Sequence, residues 1–317
     1  MNRAAKIIRL DVARRQGLTG KGIGVAIFDT GIGYHPDLFS AHTQRLAAFY
    51  DTVNGKNGYY DDNGHGTHIA GIICGTGAGS GGLFEGVAPG CHFVVIKVLN
   101  KNGEGNIENV LLGIRWLLDH YKEYDIRIVN ISVGSTKGKD FDETSPLVTS
   151  VNKLWSAGLT VFTAAGNHGP SPYSIGAPGN SRKIITVGSS DIIHRTRGID
   201  YSGRGPTKSC IKKPDIVAPG ENIASCYPML PGFISGSYYP LPTKKNYPEL
   251  YNGIPYYRRS GTSMSTPVVS GCAALLLEKY PDLTNKEIKL HLKNTALDLG
   301  YPHARQGWGL LRLDRLL

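Results

Sequence analysis

Short runs of apolar, often β-branched residues alternate along the chain with segments whose apolar positions recur at helical spacing. The runs predict strands at residues 23–28, 92–99, 126–131, 159–163 and 183–187. The periodic segments predict helices near residues 65–74, 106–122, 143–157, 263–279 and 284–294. Strands that are apolar throughout and separated by helices are typical of a parallel sheet covered on both faces. We therefore expect an α/β fold, a three-layer sandwich with a mostly parallel central sheet and helices on both faces.

Composition and charge exclude several classes of protein. The 317 residues carry a formal net charge of +10, but the basic residues are scattered in pairs such as Arg14-Arg15 and Lys212-Lys213. Because no basic helix or zinc-finger spacing accompanies these pairs, we expect no nucleic-acid partner. No run approaches the roughly 20 apolar residues that span a bilayer, so we expect no membrane association. With no convincing linker in the sequence, residues 1–317 are expected to form a single domain.

The cysteines bear on the compartment. There are five, an odd number, and they lack CxxC or other metal-binding spacing. Cys74 and Cys272 fall in apolar helical runs, where a free thiol usually packs as a small hydrophobic group. The N-terminus lacks the apolar stretch of a signal peptide. These features favour the cytoplasm, with secretion of a processed mature form as the alternative.

One serine stands at the start of the most apolar helix. In Gly261-Thr262-Ser263-Met264-Ser265-Thr266-Pro267, small residues surround Ser263 and the buried helix begins there. A helix N-terminus offers unpaired N–H groups and partial positive charge, which would stabilise an oxyanion beside Ser263. The alternative is an ordinary N-cap serine, and for an isolated serine that interpretation is the more common one.

Three other polar residues follow predicted strands or open a helix. Asp29 comes directly after the first strand, Asn167 follows the strand at 159–163, and His65 begins the helix at 65–74. At the carboxyl edge of a parallel sheet these residues could supply a carboxylate, an amide donor and a general base. Each also has a simpler interpretation as a turn or cap residue. His65 and His68 could alternatively form a metal pair, but HExxH is absent and no third ligand is evident.

A glycine pattern resembles a nucleotide-binding motif but lacks its context. Gly77, Gly79 and Gly82 match G-x-G-x-x-G, yet they follow a predicted helix, and a strand-turn-helix unit is missing. We interpret this segment as a flexible connection.

Taken together, the motifs resemble those of the subtilisin-like serine proteases, the subtilase family. They follow the family's order and extend from about residue 15 to residue 300: Asp29-Thr30-Gly31, His35-Pro36-Asp37-Leu38, His65-Gly66-Thr67-His68, Gly86-Val87-Ala88-Pro89-Gly90, Ala164-Ala165-Gly166-Asn167, Ser202-Gly203-Arg204-Gly205-Pro206 and Gly261-Thr262-Ser263-Met264-Ser265. The resemblance implies a peptidase domain in which Asp29, His65 and Ser263 form the catalytic triad. Asn167 would then donate to the oxyanion.

The same resemblance implies how a polypeptide substrate is held. Two segments would flank it as β-strands and two others would wall the pocket for the residue before the scissile bond (P1). The residues are Gly103, Gly105, Ser132, Val133, Gly134, Ala165, Gly166 and Gly176. Glycines leave that pocket roomy and no acidic residue is evident there, so we expect an apolar or aromatic P1 side chain. Ser132 could equally be a turn residue.

Two features depart from the family pattern. Asp37 matches a calcium ligand of the family, but residues 75–82 contain no acidic residue and are unlike the usual binding loop. The chemistry needs no cofactor, and structural calcium is left open with Asp37 as its candidate ligand. Residues 227–257 form an insertion with seven tyrosines and six prolines, which predicts a packed surface loop without regular structure. It could be a lid, an exosite or a contact in a homo-oligomer, and equally a self-packed insertion.

Three functions fit these residues. The first is a serine endopeptidase that works through an acyl-enzyme. The second is a catalytically silent, subtilase-like peptide-binding protein, which the intact set Asp29, His65, Asn167 and Ser263 argues against. The third is an acyl hydrolase acting on esters, which the paired substrate-flanking segments make less favourable than a peptidase.

Overall fold

The computed structural model describes residues 1–39, 44–134, 143–191, 200–229 and 248–317. Its helices are α1 Asn2–Ile8, α2 Leu10–Arg15, α3 His65–Cys74, α4 Ile107–His120, α5 Pro146–Ser156, α6 Thr262–Lys279, α7 Asn285–Thr295, α8 His303–Gln306 and α9 Leu313–Leu316. Its strands are β1 Gly24–Asp29, β2 Leu46–Asp51, β3 His92–Lys97, β4 Ile126–Ile131, β5 Thr160–Ala164, β6 Ile185–Ser189, β7 Ile216–Ala218, β8 Ile223–Cys226, β9 Glu249–Tyr251 and β10 Ile254–Arg259.

Seven of the strands form one parallel sheet in the order β2-β3-β1-β4-β5-β6-β7. Every residue of β1 and β5 is buried, as expected for strands with helices on both faces. Helix α6 packs against α3 and against β4 to β7, while α4 packs against α5. The predicted α/β sandwich with a parallel central sheet is confirmed, and the five predicted strands and five predicted helices are present with small shifts at their ends.

A second, antiparallel sheet was not predicted. It has the order β8-β10-β9. Strand β9 lies within the segment expected to be an irregular loop, β10 overlaps its end and β8 ends directly before it. The prediction that residues 227–257 lack regular structure is therefore wrong for the part after residue 248. Tyr256 is fully buried against Phe84 and Tyr251, so in this part the aromatic residues pack inward and support a strand. Residues 230–247 of this insertion lie outside the described residues.

Helix α6 lies in the hydrophobic core. Its residues from Val268 to Leu277 are all buried, so the helix passes through the molecule with apolar contacts on every side. Within the described residues, no helix combines the length and the apolar character needed to cross a bilayer. The five cysteines are all free, and Cys74 and Cys272 are buried as expected.

Candidate active site

Asp29 ends strand β1 at the point where the order of the strands in the sheet reverses. Strand β1 lies between β3 and β4, so the connections that follow it lead to opposite sides of the sheet. Such a switch point opens a crevice beyond the carboxyl ends of the strands. The Asp29 carboxylate is fully buried there, and its Oδ1 accepts the N–H of Thr30 at 2.8 Å. Its Oδ2 has no hydrogen-bond partner among the described residues.

His65 opens helix α3 and turns its ring towards Asp29. Asp61 fixes the start of the helix, because its carboxylate accepts the N–H groups of Gly64 at 2.8 Å and Thr67 at 2.9 Å. The Nδ1 of His65 lies 2.7 Å from Oδ1 of Asp29. A carboxylate at this nitrogen favours the tautomer with the proton on Nδ1, which leaves the lone pair on Nε2. The ring is 18% exposed and lines an open cavity.

Ser263 lies in the first turn of α6 and not at its cap. The helix begins at Thr262 with Gly261 as the N-cap, so the N-cap interpretation of Ser263 is wrong. The serine hydroxyl donates instead to the carbonyl oxygen of Ser132 at 2.8 Å. In the first turn, the N–H of Ser263 has no carbonyl one turn earlier to pair with. Both the hydroxyl and this N–H are therefore available at the positive end of a buried helix.

Asn167 is oriented by the residue before Ser263. Its Oδ1 accepts the N–H of Thr262 at 3.0 Å and the hydroxyl of Thr262 at 3.1 Å. These bonds assign the side-chain oxygen and leave the Nδ2 group as a donor. Gly261 has φ 151° and a Cβ there would lie 3.1 Å from Nδ2, so this approach requires glycine.

One cavity of about 650 Å³ is lined by two of these four residues. His65 and Ser263 line it together with residues from β4, the loop after β3 and the start of α4. The lining residues that the sequence singled out are His65, Gly103, Gly105, Ser132, Val133, Gly134 and Ser263. A histidine paired with a carboxylate and a serine in the first turn of a helix are parts that acyl transfer requires, and here the histidine and the serine line one cavity.

Comparison with known proteins identifies the same family that the sequence motifs resemble. Residues 20–309 match the model of the subtilase family, Peptidase_S8. The chain belongs to the subtilase family. It is 42% identical to serine protease AprX of Bacillus subtilis (strain 168) over 89% of this chain and 63% of AprX. It is 35% identical to subtilisin BL of Lederbergia lenta over 92% of this chain and 90% of that protein.

The fold of this subtilase also resembles a solved structure. A crystal structure of a cold adapted subtilisin-like serine proteinase superposes with a TM-score of 0.69 at 26% identity, covering 93% of this chain and 90% of that one. The chain thus spans nearly all of the solved proteinase but less than two thirds of AprX.

Three predicted pocket residues lie outside the cavity lining. Gly166 faces Ser174 and Gly176, since a Cβ on Gly166 would lie 3.9 Å from the Gly176 nitrogen. Ala165 is buried beside Gly203. The cavity is lined instead by Ala177 and Pro178, which directly follow Gly176 in the sequence. These residues are close in sequence to the predicted ones, and only the path of the loop determines which of them line the cavity.

Other lining residues were not among the predicted site residues. They are Thr30, Asn63, Leu99, Asn102, Glu104, Asn106, Ile107, Glu108, Val110, Ile131, Leu147, Ala177, Pro178 and Arg259. Several are ordinary apolar positions of strands and helices, and their place at the cavity depends on packing.

A buried lysine also supports the site. Lys97 ends β3 with no exposed surface, and its Nζ donates to the carbonyl oxygens of Thr30 and Leu99 and to Asp62. This hydrogen bond to Thr30 fixes the position of the residue that follows Asp29. A lysine inside an apolar strand run was the available sequence signal, since buried lysines require partners.

His68 has a structural role in this fold. It is fully buried, and its Nε2 donates to the carbonyl oxygens of Ile223 and Tyr257, each at 3.0 Å. Burial lowers the pKa of His68 well below 6.5, and the positive charge of Arg259 lowers it further. The ring therefore joins α3 to β8 and β10 in its neutral form. Among the described residues, His65 and His68 do not belong to any group of potential metal ligands.

Asp37 lies in a buried cluster with His35 and Cys226. Its Oδ1 accepts the N–H of Gly79 at 2.7 Å and its Oδ2 accepts the hydroxyl of Tyr256 at 2.9 Å. Residues 75–82 thus present an N–H to this carboxylate, whereas calcium requires a shell of oxygen ligands. His35 is satisfied as well, because Nδ1 accepts the N–H of Asp37 and Nε2 donates to the carbonyl oxygen of Pro255. The described residues around Asp37 do not fit calcium.

Proposed function

We propose that this chain is a serine endopeptidase that hydrolyses peptide bonds through an acyl-enzyme intermediate. The observation that carries the proposal is the 2.7 Å contact of the buried Asp29 with His65, which lines the same cavity as Ser263. Membership of the subtilase family and the protease names of its relatives support it. We likewise propose that residues 1–317 form one peptidase domain.

In the proposed mechanism, Ser263 is the nucleophile and His65 the general base. The serine hydroxyl rotates from the Ser132 carbonyl towards Nε2 of His65, which takes its proton as Oγ attacks the scissile carbonyl. Asp29 keeps the Nδ1–H tautomer and stabilises the imidazolium that forms. The tetrahedral oxyanion receives hydrogen bonds from Nδ2 of Asn167 and from the N–H of Ser263. His65 then returns its proton to the leaving amine.

We further propose that substrate lies along the cavity as an added β-strand. Gly103–Gly105 and Ser132–Gly134 would hold the acyl half of the peptide through backbone hydrogen bonds. The P1 pocket would lie between Gly134 and the wall that Ala165, Gly166 and Gly176 support. The space at the pocket supports an apolar or aromatic P1 side chain, since no atom of the described residues lies within 3.5 Å of a Cβ placed on Gly134 or on Gly166.

A fluorophosphonate probe tests this function, because it labels only a serine that its base has activated. The expected result is labelling of the wild type and cleavage of casein, with both lost in Ser263→Ala. Absence of both in the folded wild type would favour the catalytically silent peptide-binding alternative. Labelling together with ester hydrolysis, but without cleavage of any peptide, would favour the esterase alternative.

The cofactor requirement is a separate proposal. Acyl transfer by Asp29, His65 and Ser263 needs no metal, so we propose that activity survives chelation with EDTA. We propose no calcium site at Asp37, whose carboxylate oxygens accept hydrogen bonds from Gly79 and Tyr256. Calcium elsewhere stays a prediction, and a fall in thermal stability after chelation would support it.

Compartment and assembly also stay predictions. The comparisons do not support cytoplasmic residence over the secreted alternative, and fractionation of cells that produce the full protein would distinguish them. Contact between copies through residues 227–257 is tested by light scattering of the wild type and of a variant with a shortened insertion.

A further inference from the structure

Arg259 is a cation at the cavity that the proposed mechanism does not use. It ends β10, four residues before Ser263, and lines the same cavity as Ser263 and His65. Its guanidinium carbon lies 5.2 Å from the centre of the Tyr257 ring. Contact with an aromatic face orients a guanidinium. Arg259 pairs with Ile223 of β8, and this strand pairing fixes the backbone from which the Arg259 side chain extends.

The charge of Arg259 is not matched within the described part of the chain. No carboxylate there forms an ion pair with it, and its buried Nε has no hydrogen-bond partner. Neighbouring Arg258 differs, because it pairs with Glu249 at 2.5 Å and is exposed. A planar, oriented guanidinium without a partner suits the recognition of a carboxylate that arrives with a ligand.

Arg259 belongs to β10, whereas the segments assigned to the acyl half follow strands β3 and β4. Tyr257 of the same strand accepts a hydrogen bond from His68 of α3, so β10 lies against the helix that begins at His65. The acyl half is assigned to Gly103–Gly105 and Ser132–Gly134, and the carbonyl of Ser132 touches the Ser263 hydroxyl. The lining near the first of these segments also carries the exposed acids Glu104 and Glu108. The cavity is therefore negative along its acyl side and positive at Arg259.

We propose that Arg259 selects an acidic side chain in the leaving-group half of the substrate, at the first or second residue after the scissile bond. This inference rests on the proposed peptidase function. An aspartate or glutamate there would pair with the guanidinium, while Glu104 and Glu108 disfavour acids on the acyl side. Arg259 is thus a residue that determines specificity and takes no part in the proton transfers.

Matched fluorogenic peptides test the proposal. Each pair differs by Glu against Gln at one position, and the readout is the ratio of the two kcat/KM values, which cancels any loss of folded enzyme. For the wild type we expect a Glu/Gln ratio of about fivefold in favour of Glu at the first or second residue after the scissile bond. Arg259→Gln should bring this ratio close to one, and Arg259→Lys should retain part of it. High salt should reduce the wild-type ratio.

The controls separate the possible failures. Arg258→Gln removes the neighbouring charge and should leave the ratio unchanged. A Glu/Gln pair on the acyl side should show no preference for Glu, and Arg259→Gln should not alter it. A wild-type ratio near one, or a ratio that survives Arg259→Gln, overturns the role of Arg259 while the peptidase function stands. Failure of the wild type to cleave any of the peptides overturns the proposed function and this inference with it.

Discussion

His65 and His68 lie one turn apart on α3, yet their surroundings differ. His65 lies at the cavity, with Nδ1 against Asp29 and its ring partly exposed. His68 lies between the helix and the small sheet, fully buried, with Nε2 shared between two backbone carbonyls. Both rings are next to backbone or side-chain oxygens. The difference is that His65 keeps one nitrogen open to a ligand, whereas the buried Nδ1 of His68 has no partner among the described residues and no access to solvent.

This comparison separates a base from a structural histidine. A general base must exchange protons with a substrate, which requires an accessible nitrogen and a neighbour that stabilises the charged ring. His65 has both. His68 has neither, since burial and the nearby charge of Arg259 favour its neutral form. The same substitution at the two positions should therefore affect two different properties.

The largest effect is expected from His65→Leu. Loss of the base should lower kcat by about 10⁶-fold, a magnitude measured in subtilisin for loss of its histidine. The free energy of unfolding should change little, because the ring is partly exposed and its one strong contact is with Asp29. The measurement is kcat on a peptide substrate, with circular dichroism to confirm folding. Activity near the wild-type value would exclude His65 as the base.

The next effect is expected from Asp29→Asn. An amide cannot enforce the Nδ1–H tautomer of His65, so kcat should fall by about 10⁴-fold with the fold retained. Asp119→Asn is the matched control, because this substitution makes the same chemical change at an exposed position of α4. If both variants kept wild-type kcat, the contact between Asp29 and His65 would be structural, as the contacts of His68 are.

The fold was largely predictable because its pattern is local. Strands β1, β3, β4 and β5 are buried on both faces and read as continuous apolar runs. Strand β2 was missed because its middle residues are partly exposed and include Ala47 and Ala48, which do not favour strands. The small sheet was missed because its pairing of β8 with β10 joins residues about 30 positions apart across an insertion.

The site was predictable where a motif names the residue. Asp29, His65, Asn167 and Ser263 all lie at strand ends or helix starts, as expected. Arg259 carries no motif, and its place at the cavity follows from the pairing of β10 with β8. The alternative that Ser263 is an N-cap is wrong because α6 begins one residue earlier, at Thr262.

His68→Leu should reverse the outcome of His65→Leu. Leucine has a similar volume but no donor, so the carbonyl oxygens of Ile223 and Tyr257 lose their partner. The expected loss is about 2–4 kcal/mol in the free energy of unfolding, with kcat per active site close to that of the wild type. Denaturant unfolding in a Ser263→Ala background measures the loss without autolysis. Unchanged stability would contradict the structural role.

The smallest effect is a pH dependence that belongs to His68. Its pKa in the folded protein lies well below the 6.5 of an exposed histidine, because burial, Arg259 and His65 all disfavour its charge. Above pH 6.5 both states hold the neutral ring. As the pH falls below 6.5, the unfolded chain takes up a proton that the folded protein excludes, so stability falls by up to about 1.4 kcal/mol per pH unit. Leucine does not titrate, and the stability gap between wild type and His68→Leu should therefore narrow from pH 7 towards pH 5. A constant gap over that range would mean that His68 is protonated equally in both states and would contradict the lowered pKa.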